Sequence, residues 1–529
     1  MTGWPAAPCA HEWVGAHATA TPEAPAIGTP LHGWRTYAEL HADIQRAAAC
    51  HAAAGLGPGG FVVQAVPPSA IAVAMGLGAQ SLGATLVEIN RELGAATFGE
   101  IVRQTGARSA VVYGRDVPTW APLAAEHGLH LFVVHDGDPP ARMASLLDAT
   151  SWIWIPEGGP VPGAAGEPAS SVDPATIALL VYTSGSTGTP RAVIQTHANV
   201  DANSRAIATY LDLTERDRAM ATLPLFYCYG RSVLQTHLLV GGSVFFDHRF
   251  MYPKVVLDEM VAQRCTSFAG VPLTFENLKR QVDVAALDLS PLRYVTQAGG
   301  RMHPDTVAWA RAAFAPAELF VMYGQTEATA RLTYLPPAMA ETKPGSVGVA
   351  VDGVELRIVD DAGAGVPTGT VGNVVARGPS ITPGYFGAPA ETAEILRDGW
   401  LWTGDVGRLD GDGYLFLTGR TKDFMKLGGN RVSPQEIEDV VARHPAVEAV
   451  AVGGASDATG AEYAIAFVVP RPGAVVDESD VRRFCREHLP AFKVPARVVT
   501  VDALPLTSSR KIARTAIQEW IRNDPSLLS

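Results

Sequence analysis

Short apolar runs alternate with longer periodic segments along the first three fifths of the chain. Phe61–Ala65 and Ala84–Ile89 are apolar runs of strand length, and the segment 69–83 between them has the length and composition of a helix. Further predicted helices and strands lie at 96–104, 108–113, 198–210, 219–223 and Phe320–Tyr323. Strands that alternate with helices form parallel sheets, so this pattern predicts an α/β fold.

The pattern changes towards the C-terminus. Between residues 345 and 378, short apolar segments are separated by turns, which is typical of antiparallel strands. Beyond Arg420 lies a final unit of about one hundred residues. Its first predicted helix begins with Ser433 as the N-cap and Glu436 in a capping box, and it ends before Pro445.

Composition narrows the functional classes. Of 529 residues, 47% are hydrophobic and 18% are charged, as in globular proteins of several folding units. The net charge of −12 argues against a nucleic-acid partner. Five scattered cysteines without a C-x-x-C pair predict neither a disulfide framework nor a zinc site, and they favour a reducing compartment. Because no Lys or Arg precedes Glu12, we expect no secretory signal and a cytoplasmic location.

One long stretch, Ala47–Val87, contains no Asp, Glu, Lys or Arg. A membrane span needs about 20 mainly apolar residues. Here prolines and glycines interrupt the stretch, and Gln64 and Gln80 lie within it. We therefore interpret it as a buried strand, helix and strand, and we expect no membrane span.

The segment Tyr182–Arg191, with the sequence YTSGSTGTPR, lies between the predicted strands Ile177–Val181 and Ala192–Ile194. Its glycines let backbone N–H groups turn towards an anion, and its hydroxyl groups add further donors, which suits a polyphosphate. No Gly-Lys-Ser/Thr follows, so it is not a Walker A loop. A polar hairpin loop is the alternative interpretation.

Further motifs follow this loop in a fixed order. They are LPLFY at 223–227, QAGGR at 297–301, MYGQTE at 322–327, GWLWTGD at 399–405, GRTKD at 419–423, KLGG at 426–429 and PLTSSRK at 505–511. Each motif alone is a weak signal, but their order and spacing together are specific. On these residues the chain resembles the adenylate-forming superfamily of acyl- and aryl-CoA synthetases, nonribosomal adenylation domains and luciferases, over nearly its whole length.

The resemblance implies a two-step reaction. A carboxylate attacks the α-phosphate of ATP to give an acyl-adenylate and pyrophosphate, and a thiol then displaces AMP. The implied cofactors are ATP, Mg²⁺ and CoA, or the phosphopantetheine of a carrier protein, which we expect to act in trans. The implied fold is a large domain, 1–421, of two doubly wound α/β subdomains and a β subdomain, followed by a small mobile α+β domain, 422–529. A homodimer is expected by analogy only.

The resemblance also assigns roles to residues. The β- and γ-phosphates would be held by Thr183, Ser184, Gly185, Ser186, Thr187, Gly188 and Thr189, with Arg191 beside them. Thr326 would donate to the α-phosphate and Glu327 would hold Mg²⁺. The rest of the nucleotide would contact Gly299, Gly300, Arg301, Tyr323, Gly324, Gln325, Asp405 and Arg420, with Asp405 on the ribose hydroxyls. The catalytic lysine would be Lys511, the hinge Lys422, and the thiol entry Lys426 and Gly429.

Four positions depart from the family pattern. Arg191 stands where Lys is usual, Ala192 where Gly is common, and Arg510 replaces a Gly before the catalytic lysine. Tyr227 stands where many acyl-CoA synthetases have His, and unlike His it cannot become a cation near neutral pH.

The acid pocket is the least specified part of the sequence. Its candidates are Tyr227, Cys228, Val271, Ala298 and Gly324. The segment 226–230 offers no acidic residue to pair an ammonium group, so an uncharged carboxylate is favoured over an amino acid. Two tyrosines and an absence of charge suit an aromatic or a short-to-medium aliphatic acid.

A carboxylate–CoA ligase is the leading hypothesis. Alternatives are an enzyme that loads a carrier protein, a relative that passes the adenylate to a non-thiol acceptor or activates an anion such as nitrite, and a nucleotide-binding protein without catalysis. The presence of Thr326, Glu327, Asp405 and Lys511 argues against the last.

Overall fold

The computed structural model describes residues 3–137, 141–147, 150–164, 171–183, 191–427, 430–456, 462–506 and 512–524. Its first part alternates helices and strands. The elements are α1 Ala10–Ala20, β1 Pro25–Thr29, β2 Gly33–Thr36, α2 Tyr37–Ala53, β3 Phe61–Ala65, α3 Ala70–Ser81, β4 Thr85–Glu88, α4 Ala95–Thr105, β5 Ser109–Tyr113, α5 Val117–His127, β6 His130–His135, α6 Ala141–Leu146, β7 Trp152–Pro156, β8 Ile177–Thr183 and β9 Arg191–Thr196. Strands β3 to β9 form one sheet in the order β7-β6-β5-β3-β4-β8-β9, parallel except for the pair β8–β9.

A second α/β layer follows. Its elements are α7 His197–Tyr210, β10 Arg218–Ala221, α8 Cys228–Val240, β11 Ser243–Phe246, α9 Pro253–Ala262, β12 Ser267–Gly270, α10 Pro272–Gln281, β13 Tyr294–Gln297, α11 Pro304–Ala313, β14 Glu318–Tyr323, β15 Thr333–Leu335 and β16 Val349–Ala350. The sheet order is β16-β15-β14-β13-β12-β10-β11-β1-β2. Strands β1 and β2 pair with each other, and β1 also pairs in parallel with β11, which ties the N-terminus to the second sheet.

The remaining elements form two antiparallel or mixed sheets. The first contains β17 Glu355–Val359, β18 Gly372–Arg377, β19 Leu396–Arg397, β20 Trp400–Leu409 and β21 Leu415–Arg420, with α12 Pro389–Ile395 beside it. The second contains β22 Met425–Leu427, β23 Asn430–Val432, β24 Val447–Ser456, β25 Glu462–Pro470 and β26 Arg497–Thr500, with α13 Pro434–Val441, α14 Glu478–His488 and α15 Arg514–Asn523. The predicted fold class, a large α/β unit with a β subdomain and a small C-terminal unit, is confirmed.

Within the uncharged stretch Ala47–Val87, strand β3, helix α3 and strand β4 are largely buried, as the sequence predicted. All residues of α3 except Ala70 are buried, and the Ser69 hydroxyl caps the helix by accepting from the N–H of Ala72. A Cβ at Gly78 would lie 2.7 Å from the Ala47 Cβ, so glycine lets α3 pack closely on α2. Across the described ranges, we find no helix that is both long enough and apolar enough for a membrane span.

Helix α13 begins and ends where its sequence signals predict. The Ser433 hydroxyl accepts from the N–H of Gln435, and the Glu436 carboxylate accepts from the N–H of Ser433. The helix ends at Val441, before Pro445. Its buried side chains Ile437, Val440 and Val441 form part of the core of the C-terminal unit.

Candidate functional site

The loop 323–327, which begins with the last residue of β14, lies at the carboxyl edge of the second sheet. Gln195 of β9, in the first sheet, donates through Nε2 to the carbonyl oxygens of Thr326 at 3.1 Å and Thr329 at 3.0 Å. The Gln325 side-chain nitrogen is buried and has no hydrogen-bond partner among the described residues. The two sheets therefore jointly fix the loop that carries the predicted catalytic residues Thr326 and Glu327.

The same loop turns back sharply on itself. The N–H of Leu332 donates to the carbonyl oxygen of Tyr323 at 2.9 Å. A Cβ at Gly324 would lie only 1.9 Å from the carbonyl oxygen of Ala330. Glycine is thus required at position 324 by the close approach of the returning chain.

Glu327 and Arg191 meet at Tyr385, a residue that the sequence did not single out. The Tyr385 hydroxyl donates to Glu327 Oε1 at 2.8 Å, and the Arg191 guanidinium lies 5.3 Å from the centre of the Tyr385 ring. Burial and the Glu327 carboxylate raise the pKa of the Tyr385 hydroxyl. Thr183, on the other side of residues 184–190, donates through its hydroxyl to the Arg191 carbonyl oxygen at 3.5 Å.

Tyr323, Asp405 and Arg420 form a hydrogen-bonded cluster. Asp405 of β20 and Arg420 of β21 are paired across the antiparallel ladder. The Tyr323 hydroxyl donates to Asp405 Oδ2 at 2.5 Å, and Arg420 Nε donates to Oδ1 at 3.1 Å. Burial and the Asp405 carboxylate raise the pKa of Tyr323 well above its usual value, and Asp405 raises the pKa of Arg420. The cluster thus presents a fixed, buried carboxylate at the predicted ribose position.

The candidate acid pocket lies beside Thr326. The Thr326 hydroxyl donates to Cys228 Sγ at 3.5 Å, at the start of α8. The rings of Tyr227 and Tyr229 are 6.3 Å apart in an edge-to-face arrangement. Burial raises the pKa of the Tyr227 hydroxyl, so this side chain stays neutral.

Other predicted pocket and nucleotide residues lie on the neighbouring strand ends. Val271 follows β12, and Ala298 follows β13 and donates its N–H to the Gly270 carbonyl oxygen at 3.4 Å. The turn through residues 299–300 is held by Gln297, whose Nε2 donates to the Gly300 carbonyl oxygen at 2.7 Å. Tyr227 and Val271 line a cavity of about 590 Å³ between the two α/β layers.

The inner wall of the pocket corrects one expectation. The sequence indicated an absence of charge here, but the Arg331 guanidinium lies 5.0 Å from the centre of the Tyr229 ring and is 2% exposed. The sequence did not single out Arg331, because only the fold, through the strand β15 that follows it, places this residue behind the pocket. A charged residue just beyond a motif is ordinarily expected at the surface.

Arg301 contacts the C-terminal unit. Its guanidinium pairs with Asp439 of α13. A second ion pair, between Arg280 of α10 and Glu448 of β24, joins the same two parts of the chain. The role of Arg301 at the nucleotide stays a prediction.

Several predicted residues lie apart from this cluster or outside the described ranges. Lys422 follows β21, and Lys426 lies in β22, where its backbone N–H donates to Glu462 Oε2 at 2.6 Å. The predicted phosphate-loop residues Ser184, Gly185, Ser186, Thr187, Gly188 and Thr189, the predicted thiol-entry residue Gly429 and the predicted catalytic residue Lys511 lie outside the described residues.

The fold and the site define a nucleotide-dependent enzyme of the adenylate-forming type, and comparison with known proteins agrees. Residues 14–386 match the family model "AMP-binding enzyme", and residues 436–511 match "AMP-binding enzyme C-terminal domain". The chain therefore belongs to the AMP-binding enzyme family. It is an AMP-forming acid–thiol ligase.

Relatives match over almost the whole chain. A feruloyl-CoA synthase of an Amycolatopsis species is 33% identical over 515 residues, which is 96% of this chain and 98% of that protein. The anthranilate CoA ligase AuaEII in complex with anthranoyl-AMP has a TM-score of 0.87 at 26% identity, and 98% of each chain is covered. The o-succinylbenzoate CoA synthetase of Bacillus subtilis in complex with the acyl-adenylate OSB-AMP has a TM-score of 0.82 at 26% identity, covering 96% and 97% of the two chains.

Proposed function

We propose that the protein is an ATP-dependent carboxylate–CoA ligase that forms an acyl-adenylate and pyrophosphate and then an acyl thioester. The observation that carries this proposal is the meeting of two clusters on the loop 323–327. One is the buried carboxylate of Asp405 with its two donors, and the other is Thr326 and Glu327 beside the aromatic pocket. In this arrangement the nucleotide would lie on the Asp405 side of the loop and the acid on the Cys228 side.

The residues divide the work of the first step. Asp405, oriented by Tyr323 and Arg420, would accept hydrogen bonds from the ribose hydroxyls; a carboxylate has about four lone-pair sites, so two bound donors leave room for them. Thr326 would donate to the α-phosphate. Phosphoryl chemistry depends mainly on positioning and charge neutralisation, which Arg191 and Lys511 would supply at the triphosphate and the attacking carboxylate.

The chain offers one carboxylate for Mg²⁺ at this site. Glu327 is half-buried, and Tyr385 donates to only one of its oxygens. Among the described residues no three His, Cys, Asp or Glu side chains converge as a metal site. Mg²⁺ is commonly held by one or two carboxylates together with substrate phosphates, so a single Glu327 fits it. When bound, the ion would neutralise charge on the phosphates.

The acid would be aromatic or of short-to-medium chain length. Tyr227 and Tyr229 offer aromatic faces, and both hydroxyls stay neutral because burial raises their pKa. Two of the relatives named above, by their printed names, act on ferulate and anthranilate, which are aromatic acids.

For the second step, we propose that residues 422–529 form a separate domain hinged at Lys422. Rotation there would exchange Lys511 for the face that carries Lys426 and Gly429, where the thiol of CoA would enter. Lys422→Pro should then slow thioester formation more than adenylation. Equal loss of both steps would argue against the hinge.

The test is ATP–pyrophosphate exchange across a panel of aromatic and aliphatic acids, followed by competition between CoA and a holo-carrier protein for the adenylate. We expect exchange with at least one acid and transfer to CoA. Lys511→Ala should nearly abolish exchange while it spares thioester formation from a supplied acyl-adenylate. The proposal falls if no acid supports exchange, and the CoA assignment falls if only the carrier accepts the acyl group.

A further inference from the structure

Arg331 is held rigidly behind the acid pocket. Its backbone N–H donates to Asn203 Oδ1 at 3.1 Å, and its carbonyl oxygen accepts from Asn203 Nδ2 at 2.9 Å. Its guanidinium lies over the Tyr229 ring and beside the Tyr210 hydroxyl, whose pKa it lowers against the effect of burial. With 2% of its surface exposed, this cation is almost completely withdrawn from solvent.

This buried charge lacks an anionic partner within the described ranges. None of their Asp or Glu carboxylates lies within 4.0 Å of Arg331, and its Nε has no hydrogen-bond partner there. Residues 184–190, which lie outside those ranges, contain no acidic side chain. Arginine stays protonated in proteins, and a buried charge is costly unless it is paired.

The same protein pairs another deep guanidinium. Arg231 of α8 is 6% exposed and forms an ion pair with Glu88 at the end of β4. The two arginines are similarly buried, but among the described carboxylates one lies within ion-pairing distance of Arg231 and none within that distance of Arg331. The missing partner of Arg331 is therefore a local feature of the pocket.

A small cavity lies against this cation. Arg331, Tyr229 and Thr296 are among the residues that line a space of about 20 Å³, which is enough for one water-sized group. The Tyr229 and Thr296 hydroxyls share a hydrogen bond with each other at 2.7 Å. On the other side, Arg331 is four residues from Glu327, and its Cα would lie 2.9 Å from a Cβ at Gly324. Arg331 thus borders both this cavity and the loop 323–327, which lies beside the candidate acid pocket.

We propose that Arg331 is a specificity residue that binds a second, distal carboxylate of the substrate, so that the enzyme prefers dicarboxylic acids over monocarboxylic acids of the same length. This inference rests on the proposed function, because it concerns the acid that is adenylated. The distal carboxylate supplies the negative charge that the described residues do not place beside Arg331. The proximal carboxylate stays near Thr326, where it attacks ATP.

The test compares acids in matched pairs, adipate with hexanoate and terephthalate with benzoate, by ATP–pyrophosphate exchange. In at least one of these pairs, the wild-type enzyme should have a kcat/KM at least tenfold higher for the diacid than for the matching monoacid. In Arg331→Met, which keeps the length of the side chain without its charge, kcat/KM for that diacid should fall by about 30-fold or more, mainly through KM, while the monoacid is unaffected or improved. Arg331→Lys should recover part of the preference. Arg311 of α11, which is half-buried and paired with Glu341, is changed to Met as the control and should leave selectivity unchanged.

A second readout does not require turnover. Adipate or terephthalate should raise the thermal midpoint of the wild-type protein but not that of Arg331→Met. The monoacids should shift the thermal midpoints of the two proteins equally. If no acid supports exchange but the diacid still stabilises only the wild type, the ligase assignment fails and the Arg331 site stands. The inference is overturned if the wild type prefers the monoacid in both pairs, or if Arg331→Met lowers kcat/KM for diacid and monoacid equally.

Discussion

Replacement of Gly324 by Ala is the sharpest test of the geometry of the loop 323–327. The new Cβ would lie 1.9 Å from the carbonyl oxygen of Ala330, 2.8 Å from its carbonyl carbon and 2.9 Å from the Cα of Arg331. Ordinary contacts of a Cβ begin near 3.4 Å, so the two chain segments must separate by roughly 1.5 Å. All three clashing atoms belong to the backbone, so no side-chain rotation relieves the clash.

The segments cannot separate without moving the site. The returning chain is tied to Tyr323 by the N–H of Leu332, and Gln195 holds the carbonyl oxygens of Thr326 and Thr329. Misplacement of reacting groups by about 1 Å costs about 10²-fold in rate, whereas overpacking a core costs about 1–3 kcal/mol of stability. We therefore expect Gly324→Ala to fold and to lose about 100-fold or more in the rate of ATP–pyrophosphate exchange.

The assay is exchange with the best acid of the panel, together with the urea midpoint of unfolding. Gly411→Ala is the matched control, because a Cβ at Gly411 would meet nothing within 4 Å and its φ is not in the left-handed region. Gly411→Ala should retain both exchange and stability. If Gly324→Ala keeps more than a fifth of the wild-type rate, the loop does not constrain the reacting groups and the reasoning is refuted.

Three further predictions test other parts of the molecule. Tyr323→Phe removes one of the two hydrogen bonds that the described side chains donate to the Asp405 carboxylate. A hydrogen bond to a charged group contributes about 1.5–3 kcal/mol, so KM for ATP should rise about tenfold or more in the exchange assay. An unchanged KM would contradict the ribose assignment. Burial lowers the pKa of His11 and of His197 from 6.5 to about 4. Between pH 6.5 and pH 4 the unfolded chain therefore binds protons that the folded chain does not. The free energy of unfolding should fall as the pH drops through this range. The loss is about 2 kcal/mol for each histidine at pH 5, and an equal urea midpoint at pH 7 and pH 5 would exclude it. Asp439→Ala breaks a half-exposed ion pair between the large unit and the C-terminal unit, and such a pair contributes about 0.2–1 kcal/mol. The ratio of the adenylation rate to the thioester-forming rate should therefore change by about fivefold at most, and the change should disappear in 0.5 M KCl. A larger change, or one that salt does not alter, would contradict the role of the ion pair.

Local signals in the sequence predicted local structure well. The capping residues of α13, the buried helix α3 and the apolar strand β8 follow from the identities of neighbouring residues, because propensity, capping and hydrophobic period act over a few positions. The pairing of β1 with β11 lies outside that range, since its partners Ile27 and Val244 are more than two hundred positions apart. Nothing in a periodic pattern specifies which sheet an isolated strand will join.

The candidate site divides in the same way. The family motifs predicted Thr326, Glu327 and Asp405, and the structure brings these motifs to one loop and its neighbouring strand. Tyr385 was not predicted, because its contact with Glu327 joins residues 58 positions apart and a tyrosine in a turn has no distinctive signal. A motif identifies the residues that the chemistry requires, but not the residues that orient them.

Arg331 shows why substrate preference is harder to predict than the reaction. In the sequence it is one more arginine after the motif MYGQTE, and arginines are usually exposed. Its significance depends on two properties that only the fold supplies, its burial and the lack of a carboxylate near it in the described structure. Arg331 and Glu327 lie on one segment, which Asn203 and Gln195 hold at separate points. The same segment would therefore contact the distal carboxylate of the acid and the phosphates of ATP. A dicarboxylate of the right length would then engage both ends of this segment at once, while a shorter one could satisfy the cation only by withdrawing its proximal carboxylate from ATP. Selectivity should therefore depend on chain length as well as on charge, with a single optimum of kcat/KM in a series from succinate to suberate. If kcat/KM is the same across that series, the charge of Arg331 matters but its position relative to Thr326 does not.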